Sequence, residues 1–364
     1  MTTLPALDLP ENDAATAWLH RRTQASLSQV RELVTGIKTA PPARASVLMD
    51  RWNVVEGQMA NIASIASTFA ELHPVPAARE QGEDALQQVE RLRTELDLDH
   101  ALFTVFAEAE SAGLEEPAAR LHTKVLQDFR RAGVDQDEGR RHRLAEIAER
   151  MVVLGQEFSK NIREDTRAIR VRPDQLAGMP QDWIDARPAG RDGLVEVSTD
   201  YPDFVPFSTF CTDAAARREL RIEFLNQAWP ANDAILQELF ALRREYAHLV
   251  GYANWADYTA EVRMIGSGPA IGEFIETVTA AAAASARRDR EVVLARLRQD
   301  RPQETTIDAA DVAYYTELVR SEQFDVDAQQ VRTFFDFGRV CAGLLAVTGR
   351  LFDLEYRPAP QATV

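Results

Sequence analysis

The sequence predicts a mainly α-helical protein with one short β segment. Apolar residues recur at intervals of three and four along most of the 364 residues, which is the spacing that lines one face of a helix. Only between about residues 168 and 210 does this pattern change to alternation interrupted by prolines. Helix-ending signals such as Gly133 after Phe129 separate the periodic runs. These observations indicate roughly a dozen helices.

The N-terminal half carries the most regular helical stripes. Asn12 and Asp13 mark the start of the first helix, and Pro74 and Pro76 follow a helix that ends near Leu72. We expect the stripes to pack as core. Their members are Val30, Leu33, Val34 and Ile37; Leu48, Trp52, Val55, Met59 and Ile62; Leu86, Val89, Leu92 and Leu96; and Leu144, Ile147, Met151, Leu154 and Phe158.

The segment around 168–210 is predicted to contain short strands. Residues 169–171 and 194–197 alternate apolar and polar side chains, as a half-buried strand does. Long helices are excluded there by Pro173, Pro180, Pro188, Pro202 and Pro206. A second helical block begins near Asp213.

This change of pattern predicts the domain organisation. We expect an N-terminal helical domain over residues 1–167, a short β and loop joint over 168–210, and a helical domain over 211–364. Within the last, Asn232 and Asp233 open a helix expected from Ile235 to Val250.

Two glycine-containing stretches indicate turns in this second block. Gly251 is expected to end the helix that begins at Ile235. The stretch Gly266-Ser267-Gly268-Pro269 lacks the Lys-Ser or Lys-Thr ending of a phosphate-binding loop and does not follow a strand. It therefore indicates a turn between two helices.

Composition excludes several classes of function. With 41 basic and 57 acidic residues the formal net charge is −16, so the chain offers no basic face to nucleic acid or to an anionic membrane. The N-terminus lacks the pattern of a secretion signal, and no window is apolar enough to span a bilayer. We expect a cytoplasmic protein in which Cys211 and Cys341 are buried structural thiols.

No residue pattern identifies a catalytic or metal site. The zinc motif His-Glu-x-x-His is absent, and no two of the six histidines are four residues apart: His20, His73, His100, His122, His142 and His248. His142 and Glu146 are expected to form a solvated contact. The glutamates Glu108, Glu110, Glu115 and Glu116 are expected to be a solvated face. We therefore assign no catalytic residue, no cofactor ligand and no metal ligand.

Aromatic residues cluster near the C-terminal end. Phe334, Phe335 and Phe337, with Tyr314 and Tyr315, could line a ligand groove. Aromatics at helical spacing are more often core, and burial is the favoured interpretation.

Three stretches resemble one known family. The first comprises Arg217-Arg218-Glu219-Leu220-Arg221, residues 232–247 and Leu249-Val250-Gly251-Tyr252-Ala253-Asn254-Trp255-Ala256-Asp257-Tyr258. The second comprises Asp311-Val312-Ala313-Tyr314-Tyr315, Phe324-Asp325-Val326-Asp327, Val331-Arg332-Thr333-Phe334-Phe335 and residues 344–356. The third, weaker stretch comprises residues 121–133 and 154–161. Together they resemble the thimet oligopeptidase and oligopeptidase A family of zinc metallopeptidases. Met264 falls on that family's Lys-Met element, with Arg263 in place of the lysine.

This resemblance implies a helical body in which two halves flank a deep channel for short peptides. The chain would supply one wall and the start of the other. In the family a zinc-bound water is activated by the glutamate of the zinc helix, and the zinc ligands lie further toward the C-terminus than Val364. No catalytic residue carries over by position. The apolar last helices, from Phe334 to Phe352, are then expected to expose a surface that a following domain would bury.

Three interpretations remain open. The chain is an incomplete metallopeptidase that is inactive alone; or it is a stand-alone module that binds peptides or other proteins without catalysis; or it is one half of a split enzyme whose second polypeptide carries the zinc helix.

Overall fold

The computed structural model describes Pro10, residues 14–326 and residues 328–358, with only the backbone of Ala328 and Gln329. Asn12, Asp13, Asp327 and the residues after 358 lie outside this part. The first helices are α1 (Ala15–Thr39), α2 (Ala45–Leu72), α3 (Pro76–Asp97), α4 (His100–Glu108), α5 (Glu116–Ala132) and α6 (Glu138–Glu164). Then come β1 (Ala168–Val171), a 3-10 helix (Pro173–Leu176), α7 (Gln181–Asp185), β2 (Val195–Ser198), α8 (Tyr201–Phe210) and α9 (Ala214–Leu225). The last are α10 (Ala231–Leu249), α11 (Trp255–Ala260), α12 (Gly268–Asp300), α13 (Val312–Phe324), α14 (Ala328–Arg332) and α15 (Phe337–Phe352).

The mainly α-helical class predicted from the sequence is confirmed. In the described part of the chain, two compact units can be distinguished. Unit 1 consists of the residues up to Phe158 together with Ile235–Gly268, and unit 2 consists of Ser159–Ala234 and Pro269–Pro358. None of the described helices combines the length and the apolar character needed to cross a bilayer.

The core of unit 1 is built from the stripes that the sequence predicted. Most of their members are buried, and Leu33, Leu86, Met151 and Phe158 are half-buried. Ring packing adds to this core, since Trp52 meets Phe106 edge-on with 5.2 Å between ring centroids and Phe106 lies 5.5 Å from Phe129. These contacts join α2, α4 and α5.

A glycine sets the closest approach of α2 and α3. A methyl group at Gly82 would lie 2.6 Å from the backbone nitrogen of Ala70, which is shorter than van der Waals contact. Only a residue without a side chain lets the two backbones come this close, and Ala66 and Ala70 on the facing helix are small for the same reason.

Unit 2 contains the predicted β segment. Strands β1 and β2 pair antiparallel, with Ile169 opposite Val197 and Val171 opposite Val195. All four of these side chains are buried, and they pack in one core with residues of the neighbouring helices that include Trp183, Phe207 and Leu220. The polar residues between them are exposed to solvent. The alternation in the sequence therefore corresponds to one buried and one exposed face of the two-stranded sheet.

The second helical block begins where the sequence predicted, but one boundary differs. The Asp213 carboxylate accepts hydrogen bonds from the backbone N–H groups of Ala215 and Ala216 and thereby caps α9. Helix α10 begins at Ala231 and not near Ile235, and the N–H of Asn232 already donates to the Ala228 carbonyl oxygen at 2.8 Å, as in a helical turn. Asn232 therefore lies inside the helix that it was expected to precede.

The turn predicted at residues 266–269 is present. Gly266 adopts a positive φ of 78°, and the N–H of Gly268 donates to Asp257 Oδ1 at 2.8 Å. Helix α12, which follows, has 33 residues. Its buried side chains are Leu294 and Leu297 near its end, whereas almost every residue from 271 to 292 is exposed.

The carboxyl group of Asp97, the last residue of α3, borders a cavity of about 420 Å³ in unit 1. Burial raises the pKa of this carboxyl from 3.8 to about 7. The guanidinium of Arg93 opposes this rise, and the carboxylates of Glu56, Asp128 and Glu90 reinforce it. Asp97 therefore retains a proton at a pH where an exposed aspartate has lost it.

We predict that Asp97→Asn stabilises the protein at pH 8 more than at pH 5. The unfolded chain releases the Asp97 proton near pH 4, whereas the folded chain holds it until about pH 7. The free energy of unfolding of the wild type therefore falls between these two pH values, and the amide removes this loss. We expect the stabilisation to be larger at pH 8 than at pH 5 by about 2–3 kcal/mol.

Urea unfolding at both pH values, followed by circular dichroism, measures this difference. Asp50→Asn, which changes an exposed carboxylate on α2, is the control and should act equally at both pH values. An equal effect of Asp97→Asn at pH 5 and pH 8 would contradict the prediction.

Candidate functional site

Three histidines, His122, His142 and His248, make contacts with nearby residues of the chain. His122 is buried, and its Nε2 lies 2.9 Å from the Phe106 carbonyl oxygen; His248 Nε2 lies 2.9 Å from that of Ala253. The predicted solvated contact of His142 with Glu146 is confirmed, at 3.3 Å between Nδ1 and Oε1 with both side chains exposed.

Nowhere in the described ranges do three or more His, Cys, Asp or Glu side chains come together in a group that could hold a metal ion. The residues described therefore do not fit a zinc site, and we assign no metal-dependent step to them. The four glutamates at 108, 110, 115 and 116 are exposed, as expected.

The two cysteines occupy different environments. Cys211 is buried, its thiol donates to the Gln175 carbonyl oxygen at 3.2 Å, and burial raises the pKa of the thiol. Cys341 is exposed, so the expectation that it is a buried structural thiol is wrong. Its helix, α15, has no buried residue, and a small apolar side chain there remains in water.

A charge network with a buried ion pair lies within unit 2. Arg217 on α9 and Arg301 after α12 both donate through Nη2 to the carboxylate of Asp311, which precedes α13. The side chains of Arg217 and Asp311 are 1% and 4% exposed. Arg217 also donates through Nη1 to the Cys211 carbonyl oxygen at 2.5 Å. Three separate elements are thus joined through one carboxylate.

Two tyrosines complete the network. The guanidinium of Arg217 lies 4.2 Å from the ring centroid of Tyr314, and that of Arg301 lies 5.6 Å from that of Tyr315. The Nε atoms of both arginines are buried without a hydrogen-bond partner. Because both oxygens of Asp311 accept from arginine, its carboxylate is not available as a general base. The network therefore stabilises the fold and is not arranged to transfer a proton.

A second arginine organises part of unit 1. Arg131 on α5 donates through Nη2 to the Tyr258 carbonyl oxygen at 2.6 Å and forms an ion pair with Glu261. Its guanidinium lies 4.3 Å from the ring centroid of Tyr258. Nearby, burial raises the pKa of the Tyr246 hydroxyl. Arg131 thereby fastens the stretch around α11 to α5.

Sequence reasoning did not identify either arginine site. Arg217, Asp311 and Tyr258 belong to the stretches that carry the family resemblance, but the spacing of residues along the chain gave no sign that they pair. Their position within those stretches was the one feature of the sequence that indicated a role for these residues in the family's fold.

Helix α15 and the turn before it expose large apolar side chains, which we call the C-terminal apolar surface. Phe334, Phe335 and Phe337 are 69%, 66% and 85% exposed, so the favoured expectation that they are core is wrong. Of the same aromatic group, Tyr315 is buried and Tyr314 half-buried. The rest of the surface consists of Val340, Leu344, Leu345, Val347, Leu351 and Phe352. This exposure agrees with the expectation for the last helices.

Comparison with known proteins finds similarity to one family of peptidases and to several oligopeptidases. Residues 207–364 match Peptidase family M3. Saccharolysin of Saccharomyces cerevisiae is 24% identical over 295 residues, which are 76% of this chain and 41% of the relative. Oligopeptidase A of Escherichia coli is 24% identical over 323 residues, 82% of this chain and 47% of the relative. The thimet-like oligopeptidase of Dictyostelium discoideum is 27% identical over 257 residues, which are 68% of this chain and 38% of the relative. The chain spans less than half the length of these relatives.

We predict that Asp311→Ala lowers the free energy of unfolding by about 3–5 kcal/mol, because it leaves the buried charge of Arg217 without its partner. The control is Asp182→Ala, which breaks an exposed ion pair with Arg332 and should cost less than about 1 kcal/mol. Urea unfolding followed by circular dichroism compares the two variants. Similar losses would show that the buried network does not stabilise unit 2.

We predict that the C-terminal apolar surface binds a hydrophobic dye and promotes self-association. Replacing Phe337, Leu344 and Leu351 together by serine or glutamine should reduce both effects, because these side chains share one face of α15. Fluorescence of anilinonaphthalene sulfonate and sedimentation velocity measure them. Leu72→Gln, which changes a single exposed leucine in unit 1, is the control. A wild-type chain that sediments as a monomer and binds no dye would contradict the prediction.

Proposed function

Because the chain belongs to the thimet oligopeptidase and oligopeptidase A family, we propose that it forms the helical part of a zinc-dependent endopeptidase that cleaves short peptides. Peptidase family M3 is a family of zinc metallopeptidases. The observation that carries the proposal is the match of residues 207–364 to this family, together with relatives named oligopeptidases that align with 68–82% of the chain.

In this proposal the chain contributes to the wall of a peptide channel and does not perform the chemistry. A wall that selects short peptides by size must be rigid, and the buried network of Arg217, Asp311 and Arg301 supplies such rigidity within unit 2. Arg131 performs a comparable role within unit 1. The family match begins at residue 207, which supports our proposal that the peptidase domain starts near 211, after the β and loop joint at 168–210.

The zinc ligands would belong to a further polypeptide portion that packs on the C-terminal apolar surface. Two observations support this proposal. The described residues do not fit a zinc site, and α15 exposes apolar side chains that a stable fold ordinarily covers. We place the protein in the cytoplasm, where free thiols such as those of Cys211 and Cys341 persist.

A second candidate is a peptide-binding module without catalysis. The same lack of fit to a metal supports it, since a helical wall can hold a peptide without hydrolysing it. The two candidates differ in what restores activity, because only the first gains turnover when a portion bearing the zinc ligands is added.

We predict that the 364-residue chain neither cleaves a quenched fluorescent short peptide nor retains stoichiometric zinc. The peptide is assayed with and without added zinc and with a chelator, and the metal content of the purified protein is measured. Equilibrium binding of an uncleaved peptide is measured in parallel. Under our proposal the peptide binds but is not cut.

Chelator-sensitive turnover by the chain alone would overturn this assignment of roles, because it would require a metal site within these residues. Failure to bind any short peptide would count against both candidates. Turnover that appears only when the C-terminal half of an oligopeptidase A is added would favour the peptidase over the module.

A further inference from the structure

Trp229 in unit 2 is the most exposed of the five tryptophans, with 64% of its surface in contact with water. Trp52 and Trp183 are buried, and Trp18 and Trp255 are half-buried. A large aromatic ring that contributes little to a core and lies in water is a common anchor for a ligand. The groups around its ring determine which class of ligand it would bind.

The loop that carries Trp229 is held in one conformation. Ala228, directly before it, has a φ of 59°, a left-handed conformation that costs an alanine about 1 kcal/mol. The N–H of Ala228 donates to Asp165 Oδ2 at 2.7 Å, and Arg167 Nη2 donates to the Trp229 carbonyl oxygen at 3.2 Å. The Trp229 N–H donates to the Asn226 carbonyl oxygen at 3.1 Å. The indole is thus presented by a preorganised backbone.

Trp229 borders an open cavity of about 280 Å³. The charged side chains that line this cavity are Glu164 and Asp165, and both are carboxylates. Hydrogen bonds from Arg167 and from the Ala228 N–H lower the pKa of Asp165, so it stays ionised. Glu164 is exposed and pairs with no cation among the residues that the structure describes.

The nearby cation does not neutralise this cavity. Arg167 donates through Nε to Asp165 at 3.0 Å and lies 3.5 Å from Glu223, so its charge is shared between two carboxylates. The free charge at the cavity is that of Glu164. An aromatic face beside a free carboxylate favours a cation on an aliphatic stem, because the ring attracts the charge and the carboxylate pairs with it.

We propose that Trp229 and Glu164, beside the loop that Asp165 holds, form a subsite that binds a lysine or arginine side chain of a peptide. This inference rests on the proposed function, since it takes a peptide as the ligand. It adds to that function a preference for substrates with a basic residue. Asp165 and Arg167 act as positioning residues that hold the loop, whereas Trp229 and Glu164 contact the ligand.

The test compares three capped pentapeptides of alanine whose central residue is lysine, norleucine or glutamate. Binding to the full chain is measured by titration calorimetry and by quenching of tryptophan emission, because the peptides contain no tryptophan. The lysine peptide should bind at least about threefold more tightly than the norleucine peptide and should quench the emission. The glutamate peptide should bind most weakly, and added salt should reduce the preference for lysine.

Trp229→Ala and Glu164→Gln should each weaken binding of the lysine peptide by about threefold to fivefold and leave that of the norleucine peptide nearly unchanged. The matched controls are Phe337→Ala and Glu276→Gln, an exposed aromatic and an exposed carboxylate elsewhere in unit 2, which should change neither affinity. Circular dichroism melting establishes that each variant is folded. Spermidine is titrated in parallel as a cation without a peptide backbone.

Equal affinity for the lysine and norleucine peptides, or a full lysine preference in Trp229→Ala, would overturn the subsite. So would binding of spermidine without binding of the lysine peptide. These outcomes are separate from a failure of the proposed function. Peptides that bind without preference would remove the subsite and leave the oligopeptidase proposal standing, whereas a lysine preference would persist if the complete protein proved not to be a peptidase.

Discussion

Asp311 accepts hydrogen bonds from two arginines, and the architecture of unit 2 depends on this shared carboxylate. Ions removed from water lose several kilocalories per mole of hydration, which only a complete set of partners can offset. Arg217 cannot relieve the cost by losing its proton, because guanidinium groups remain charged in proteins. The helices α9 and α13 and the segment that contains Arg301 must therefore meet in one arrangement, and the β1–β2 core packs against α9 from there.

The helices and strands of this fold could be predicted because each follows from a local periodicity of apolar residues in the sequence. Residues 169–171 and 195–197 form strands since their alternation separates a buried from an exposed face. The pair of Arg217 and Asp311 could not be predicted in this way, because 94 positions separate the two residues and no local pattern links them. Trp229 likewise belongs to no stripe, and only the structure shows that its ring is exposed.

The two incorrect expectations, for Cys341 and for the phenylalanines near it, have one physical origin. Helical periodicity shows that a face is apolar, but burial also requires a second surface that covers this face. Along α2 the covering helices are present, and Trp52 and Val55 are buried as predicted. Along α15 the same kind of pattern is exposed. The boundary of α10 differed for another reason, since the Asn232 side-chain oxygen accepts a hydrogen bond from Asn161 Nδ2, and the helix begins before Asn232.

Helix α12 illustrates how much of a helix can form without side-chain burial. Its 33 residues extend about 50 Å, and its buried residues Leu294 and Leu297 lie near one end. The exposed remainder includes five consecutive alanines at 280–284, and alanine has the highest intrinsic helix propensity. Local opening of the backbone should therefore need little free energy near Ile271 and progressively more toward Leu294, so that α12 frays from its N-terminal end while its C-terminal end remains anchored.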